Sequence, residues 1–327
     1  MSRPVPVLIL TLAFGATCSA QDKKATLSKD AVDDDFAVQG EYEGTLSRDG
    51  NSQKYGVQVI ARGDGKFDAV GYPGGLPGAG WDGEDKVAGA GRREGDEVVI
   101  SNSEGNAQAV IQNGRMTLSV DDEELGELQR TVRKSPTLGA KPPEGALVLF
   151  DGDEADLENF LPGARIENGN LRESFTTNEK FGDYTLHLEF MLSYMPQARG
   201  QARSNSGVYQ QGRYEVQVLD SFGLEGADNE CGGIYKAAAP SVNMCLPPLQ
   251  WQTYDIEFTA AKYDGDKEAA PARITVKHNG VVIHDDIEIP SGTPGGTQAA
   301  GPGPGPIFVQ NHGNPLYFRN LWIVPGT

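Results

Sequence analysis

Two polar side chains, Glu215 and Gln217, sit in a stretch of this 327-residue chain that otherwise reads as core. The run Tyr214-Glu215-Val216-Gln217-Val218-Leu219-Asp220 alternates with a period of two, which predicts a half-buried strand with side chains going to opposite faces. Glu215, Gln217 and Leu219 share one face, and Tyr214, Val216, Val218 and Asp220 share the other. The two valines belong against a core, so Glu215 and Gln217 look into either bulk water or a polar cleft. In a cleft, a carboxylate beside amide donors can take or give a proton; in bulk water it is only a solvated face. His312, in Asn311-His312-Gly313-Asn314, offers a second group of acid/base type, and Gln310 and Arg319 offer donors nearby in sequence. Glu215, Asp220 and His312 are also residue types that ligate a hard divalent cation, but no dedicated ligand spacing accompanies them, so a cation stays open. Each residue has a plainer reading. A strand glutamate ordinarily faces solvent, Asp220 beside Ser221 fits a turn cap, a lone turn histidine is commonly structural, and Arg319 suits a surface ion pair.

The elements that must position these groups are strands. With 42 Gly and 20 Pro the chain is dense in turns, and helical periodicity is nearly absent. Strand-like runs cover 41–46, 55–61, 66–72, 97–101, 107–112, 115–120 and 125–132, with Asn113-Gly114 the strongest hairpin signal. This predicts a small antiparallel β-barrel or sandwich over 40–133. Its Gly78-x-Gly80-x-x-Gly83 matches a dinucleotide fingerprint in letters only, because no strand-then-helix context surrounds it. Residues 134–145, rich in Pro and Gly, read as a linker, and 146–327 as a second all-β domain with a hairpin at Asn279-Gly280. Its long loops at 196–204, 223–249 and 291–306 are of a length that marks function or disorder.

Residues 1–20 carry Arg3, an apolar run too short to span a membrane, and a small-residue cleavage pattern ending at Ala20. They read as a secretory signal peptide, so the protein is expected to be exported, periplasmic or secreted. Lipid anchoring at Cys18 is a minor option, because the large aliphatic residue expected three positions earlier is missing. A flexible arm is expected over 21–39. In an oxidising compartment Cys231 and Cys245 are an even pair, and a disulfide would close a loop of about 15 residues worth roughly 3 kcal/mol; two free buried thiols are the alternative. The formal charge of −18, from 28 basic and 46 acidic residues, disfavours nucleic acid and anionic membrane as partners.

Several motifs stand in order over about 147–324: SNSGVYQQGRYEVQVLDSFG, CGGIYKAAAP, WQTYDIEF, ITVKHNGVVI and PIFVQNHGNPLYFRNLWI. In this the second domain resembles the 3-keto-disaccharide hydrolase domain family. The resemblance implies a concanavalin A-like jelly-roll sandwich and action on carbohydrate, on glycosides whose sugar carries a ketone at C3. Such a ketone acidifies the C2 hydrogen, so a base can remove it and expel the group at C1, and water then completes a net hydrolysis. Under that reading Glu215, His312 and Asp220 are the candidate catalytic groups. Asn205, Tyr209, Gln217, Tyr235, Gln310 and Arg319 are the candidate substrate-binding groups. Tyr209 and Tyr235 are either sugar platforms or buried aromatics, and Trp251 is expected in the core. A carbohydrate-binding module on the same fold is the competing class. The spacing Glu215-x-Gln217-x-x-Asp220 also resembles the acidic signature of laminarinase-type retaining glycosidases, whose two carboxyls lie about 5–5.5 Å apart. That arrangement requires a bulge to bring Asp220 to the face of Glu215.

Overall fold

The structure, a computed structural model, describes residues 25–326. The expected signal peptide and Cys18 lie outside the described residues. The first strands are β1 (Gly40–Arg48), β2 (Asn51–Gly63), β3 (Lys66–Pro73), β4 (Val87–Glu94), β5 (Glu97–Asn102), β6 (Ala107–Gln112), β7 (Arg115–Val120) and β8 (Glu123–Thr131). Each pairs with the next, and β8 returns to β1, so the sheet closes into a barrel. Closure removes both sheet edges. Strand β4 escapes the sequence reading because Val-Ala-Gly-Ala-Gly-Arg-Arg-Glu has no apolar alternation. Its glycines serve close approach instead: a Cβ on Gly91 would sit 1.9 Å from the Val99 carbonyl oxygen. The turn at Asn113-Gly114 has φ of 50° and 75°, the left-handed pair a two-residue hairpin requires.

The second part is a jelly-roll β-sandwich. Its strands are β9 (Leu147–Phe150), β10 (Ile166–Glu167), β11 (Asn170–Arg172), β12 (Phe175–Thr176), β13 (Tyr184–Leu192), β14 (Ser206–Gln210), β15 (Tyr214–Val218), β16 (Trp251–Thr259), β17 (Lys262–Asp264), β18 (Lys267–Ala270), β19 (Ala272–His278), β20 (Val281–Ile289), β21 (Phe308–Val309) and β22 (Leu316–Pro325). The larger sheet runs β10-β11-β22-β13-β16-β19-β20 with β9 on β22, and the smaller runs β12-β21-β14-β15; β17 and β18 form a side hairpin. Between the sheets Leu186, Leu188 and Phe190 of β13 meet Val208, Val216 and Val218 of the smaller sheet in one buried core. Alternate residues of β15 therefore point away from that core, which places Glu215 and Gln217 on the outer face of the smaller sheet.

Barrel and sandwich share side chains. Ile60 of β2 belongs to the sandwich core, while Tyr194 and Leu249 belong to the barrel core. Gly223 approaches so closely that a Cβ there would lie 2.4 Å from Ile60 Cδ1. The arm expected to be flexible is tied down from Ala25 onward. The Tyr194 amide donates to the Thr26 carbonyl at 2.9 Å, and buried Asp35 accepts from Arg93 at 2.9 Å and from the Gly65 amide at 2.8 Å.

The segment read as a linker is likewise docked, across the outer face of the larger sheet. Ser135 Oγ lies 2.6 Å from Thr253 Oγ1, Thr137 Oγ1 donates to Asp255 at 2.7 Å, the Gly139 amide donates to Glu189, and Asn320 Nδ2 donates to the Ala140 carbonyl at 3.0 Å. Beneath it His187 is fully buried, with Nδ1 2.6 Å from Asp255 Oδ1 and its ring stacked 5.0 Å from Trp322. Burial pulls the His187 pKa down, but the Asp255 and Glu189 carboxylates outweigh it and hold the value above 6.5. Against its own burial, Glu189 is held at about 2 by hydrogen bonds from His187, Asn320, Gly139 and Arg319. A histidine whose folded pKa is raised stabilises fully below its unfolded value and loses that stabilisation as pH rises through the folded value. Urea midpoints of the wild type and His187→Asn measured from pH 5.5 to 9 are therefore expected to converge as pH rises; a constant gap would contradict the charged state.

Candidate functional site

Glu215 and Tyr209 are directly opposed in the β14–β15 pairing. Tyr209 Oη lies 2.8 Å from Glu215 Oε2 and donates to it, and its ring packs 5.2 Å from Phe308 of β21. The carboxylate lies over Gly207, where a Cβ would come within 2.0 Å of Glu215 Oε1. That explains a glycine inside a strand, where it otherwise weakens pairing. Gly207→Ala is expected to displace the carboxylate by more than its hydrogen bond tolerates and to cut activity at least 10-fold, with circular dichroism unchanged; full activity would show that the carboxylate position is not critical.

Glu215 is 2 % exposed. Burial raises its pKa, the Tyr209 hydrogen bond opposes the rise, and the result is about 7. The groups around it are amides and hydroxyls. Gln217 Nε2 donates to Gln201 Oε1 at 3.1 Å and to Asn205 Oδ1 at 3.2 Å. Asn205 Nδ2 donates to the Gln201 carbonyl at 2.8 Å, and the Asn205 amide donates to Asn314 Oδ1 at 2.9 Å. The Gln310 amide donates to the Gly207 carbonyl at 2.9 Å, fixing the start of the turn that carries His312. Together Gln201, Asn205, Tyr209, Glu215, Gln217, Tyr235, Pro294, Gly295, Gln310 and His312 enclose a cavity of about 190 Å³. Glu215 and Gln217 form its floor, while exposed His312 and half-buried Tyr235 stand at its rim. Neither lysine nor arginine lines it. One proton-accepting group poised near neutrality, amide donors around it and an imidazole at the rim can move a proton from a bound polar ligand.

Seven of the nine residues singled out in the sequence thus meet in one cavity. Asp220 and Arg319 do not. The β14–β15 register runs without a break to Val218, and Asp220 lies two residues past the end of the strand. Instead Asp220 is buried and accepts from Arg203 Nε at 2.6 Å, at the seam with the barrel. A retaining pair of carboxyls is therefore not formed, and the set Glu215, Asp220, His312 does not converge as metal ligands. Among the described residues no cluster of three or more His, Cys, Asp or Glu side chains is placed to hold an ion. Arg319 lies on the larger sheet, donates to Glu189 at 2.7 Å and covers the Trp251 ring at 3.9 Å. That stacking leaves Trp251 half-buried rather than in the core. Cys231 and Cys245 are free buried thiols, not a disulfide. Each has its own polar contact, Cys231 Sγ with Tyr254 Oη at 3.2 Å and Cys245 Sγ with the Leu219 carbonyl at 3.5 Å.

Gln201, Pro294 and Gly295 join the site without having stood out in the sequence. Their only signal there is membership of the long loops at 196–204 and 291–306. Thr293, beside the cavity, anchors the second of these by accepting from the Glu215 amide at 2.8 Å through Oγ1.

A family model described as "3-keto-alpha-glucoside-1,2-lyase-like domain" matches residues 145–324. A crystal structure from Parabacteroides distasonis, named as a candidate glycosyl hydrolase, aligns with a TM-score of 0.50 at 31% identity, covering 56% of this chain and 85% of that one. Two more from the same organism, named likewise, align at TM-scores of 0.39 and 0.38 with 16% and 23% identity; they cover 58% and 54% of this chain and 93% and 98% of theirs. No curated protein matches the chain. The match over 145–324 spans the whole sandwich and more than half of the sequence, and the chain belongs to the 3-keto-alpha-glucoside-1,2-lyase-like domain family.

Proposed function

We propose that this protein cleaves 3-keto-glycosides by removing the C2 proton, expelling the C1 substituent and allowing water to add. The observation that carries the reading is a single buried carboxylate, Glu215, held near neutrality on the floor of a polar cavity. A double-displacement glycosidase needs two carboxyls at the bond, whereas abstraction of an acidified C–H needs one base matched to the working pH. In this reading Glu215 takes the C2 proton. Gln217 accepts from a sugar hydroxyl through Oε1, since both its amide protons are held by Gln201 and Asn205. Gln310 Nε2, which spends one proton on Tyr209, polarises the C3 carbonyl with the other as negative charge builds on its oxygen. His312, at the open rim, delivers a proton to the departing oxygen. The cavity volume lies below that of sites for drug-sized ligands, about 300–1,000 Å³, and suits one keto-sugar ring with its substituent toward the rim. Family membership and the glycosyl hydrolase designation of the 31%-identical structure support a glycosidase-type activity. Export through the leader-like first 20 residues belongs to the same proposal.

The test is release of a chromogenic aglycone from a 3-keto-glucoside and from the parent glucoside, each with and without chelator. Release from the keto-sugar alone is expected, with kcat/KM rising as pH passes about 7, where Glu215 becomes the free base. Binding of either sugar without release would make the sandwich a carbohydrate-binding module. Release from the parent alone would replace proton abstraction with ordinary glycoside hydrolysis.

A further inference from the structure

The Tyr209 hydroxyl has one proton and two acceptors. Its Oη lies 2.8 Å from Glu215 Oε2 and also 2.8 Å from the carbonyl oxygen of Pro294, while Gln310 Nε2 donates to it at 3.4 Å. The geometry points to Tyr209 as a positioning residue that switches its single proton between the Glu215 carboxylate and the Pro294 carbonyl as Glu215 gains and loses a proton.

The accounting is complete in both states. With Glu215 ionised, Tyr209 donates to Oε2, and its oxygen accepts from Gln310. With a proton on Oε2, the carboxylic O–H donates to Tyr209 Oη, and the tyrosine proton turns to Pro294. The tyrosine keeps its own proton throughout, and the proton that Glu215 gains or loses passes to or from solvent or substrate. The hydroxyl keeps a donor and an acceptor in each state, which matters because an unsatisfied buried polar group costs about 1–3 kcal/mol. The tyrosine itself stays protonated, since burial and then the Glu215 charge push its pKa upward. The approach to Pro294 is built in: Gly295 has φ of 86°, and a Cβ there would meet Tyr209 Oη at 2.6 Å. The loop is also held to the strand at Thr293, so the carbonyl is fixed rather than free to follow the hydroxyl. The other titratable groups lining the cavity are His312 and Tyr235.

The inference deepens the reading of Glu215 as the base, but its test needs no turnover, so the two can fail separately. In the full-length protein without ligand, the Gly295 amide nitrogen reports on hydrogen bonding to the Pro294 carbonyl. Its chemical shift is expected to titrate with the Glu215 carboxyl between pH 5 and 9, and to lose that titration in both Tyr209→Phe and Glu215→Gln. Tyr209→Phe retains the ring against Phe308, and the Glu215 carboxyl followed by infrared difference spectroscopy should titrate higher in that variant, because the ionised form has lost its donor. A Gly295 shift that ignores pH would overturn the switch. So would one that still titrates in Tyr209→Phe, or one that survives Glu215→Gln and so follows His312.

Discussion

Glu215→Gln is expected to lower 3-keto-glucoside cleavage about 10³-fold, within the 10²–10⁴ range of a positioned acid or base, and at the same time to stabilise the protein above neutral pH. The second effect follows from the direction in which burial moves the carboxyl. The folded value of about 7 stands above the ordinary 4.5 because burial disfavours the charge. A carboxyl whose pKa is raised on folding leaves stability intact below its unfolded value and erodes it as pH rises to the folded value. Above pH 7 the buried carboxylate therefore costs about 3 kcal/mol, since each tenfold change in proton affinity is worth about 1.4 kcal/mol. Glutamine fills the same volume, accepts from Tyr209 and carries no charge. Steady-state rates and urea midpoints at pH 5 and 8 check both halves. The midpoint gain should appear at pH 8 and vanish at pH 5. A variant that kept its activity, or one that lost stability at pH 8, would remove Glu215 from the role of strained base. Losing function while gaining stability is the trade-off expected of an active-site group held away from its preferred state.

Asp220→Ala has a large effect of the opposite kind. Both Asp220 and Arg203 are about 3 % exposed, and removing the carboxylate strands a buried guanidinium. Breaking one side of a buried pair costs about 3–5 kcal/mol, and a chain of this size should lose about 5–8 °C in melting temperature. Where the variant is still folded, kcat should remain within about threefold of wild type. Arg203→Met with Asp220→Leu should recover most of the lost stability, since well-packed apolar residues can replace a buried pair. An unchanged melting temperature with a collapse in kcat would return Asp220 to the chemistry.

The contrast between these two acids shows how far the sequence can be read. Period-two alternation puts Glu215 and Gln217 on one face, and the unbroken β14–β15 register bears that out, whereas Asp220 falls past the strand end and is held by Arg203. Alternation also carries the barrel strands, except β4, whose Ala-Gly repeat is shaped by backbone approach rather than apolar burial. What alternation cannot convey is which partner reaches a residue across a seam. Arg203 lies 17 positions from Asp220, and Glu189 lies 130 from Arg319, so their ion pairs become visible only once the sheets are assembled. The same holds for Gly207, whose importance comes from the carboxylate above it, and for the 291–306 loop, whose carbonyls carry no residue signature. The cysteines are a related case: their even number points to a pair, and the fold buries the two thiols against each other, each with a further polar contact that spacing alone does not report.

The segment clamped over His187, Glu189 and Asp255 bears on where the sandwich could be excised as a free-standing unit. The family match begins at residue 145, and a fragment trimmed to that point would discard Ser135, Thr137, Gly139 and Ala140. Their loss would flood a dry face of the larger sheet, leaving Glu189 without its backbone donor and Asp255 without its hydroxyl. A fragment beginning at Ser135 keeps that cover, so the contacts that shield this face begin about ten residues ahead of the family match.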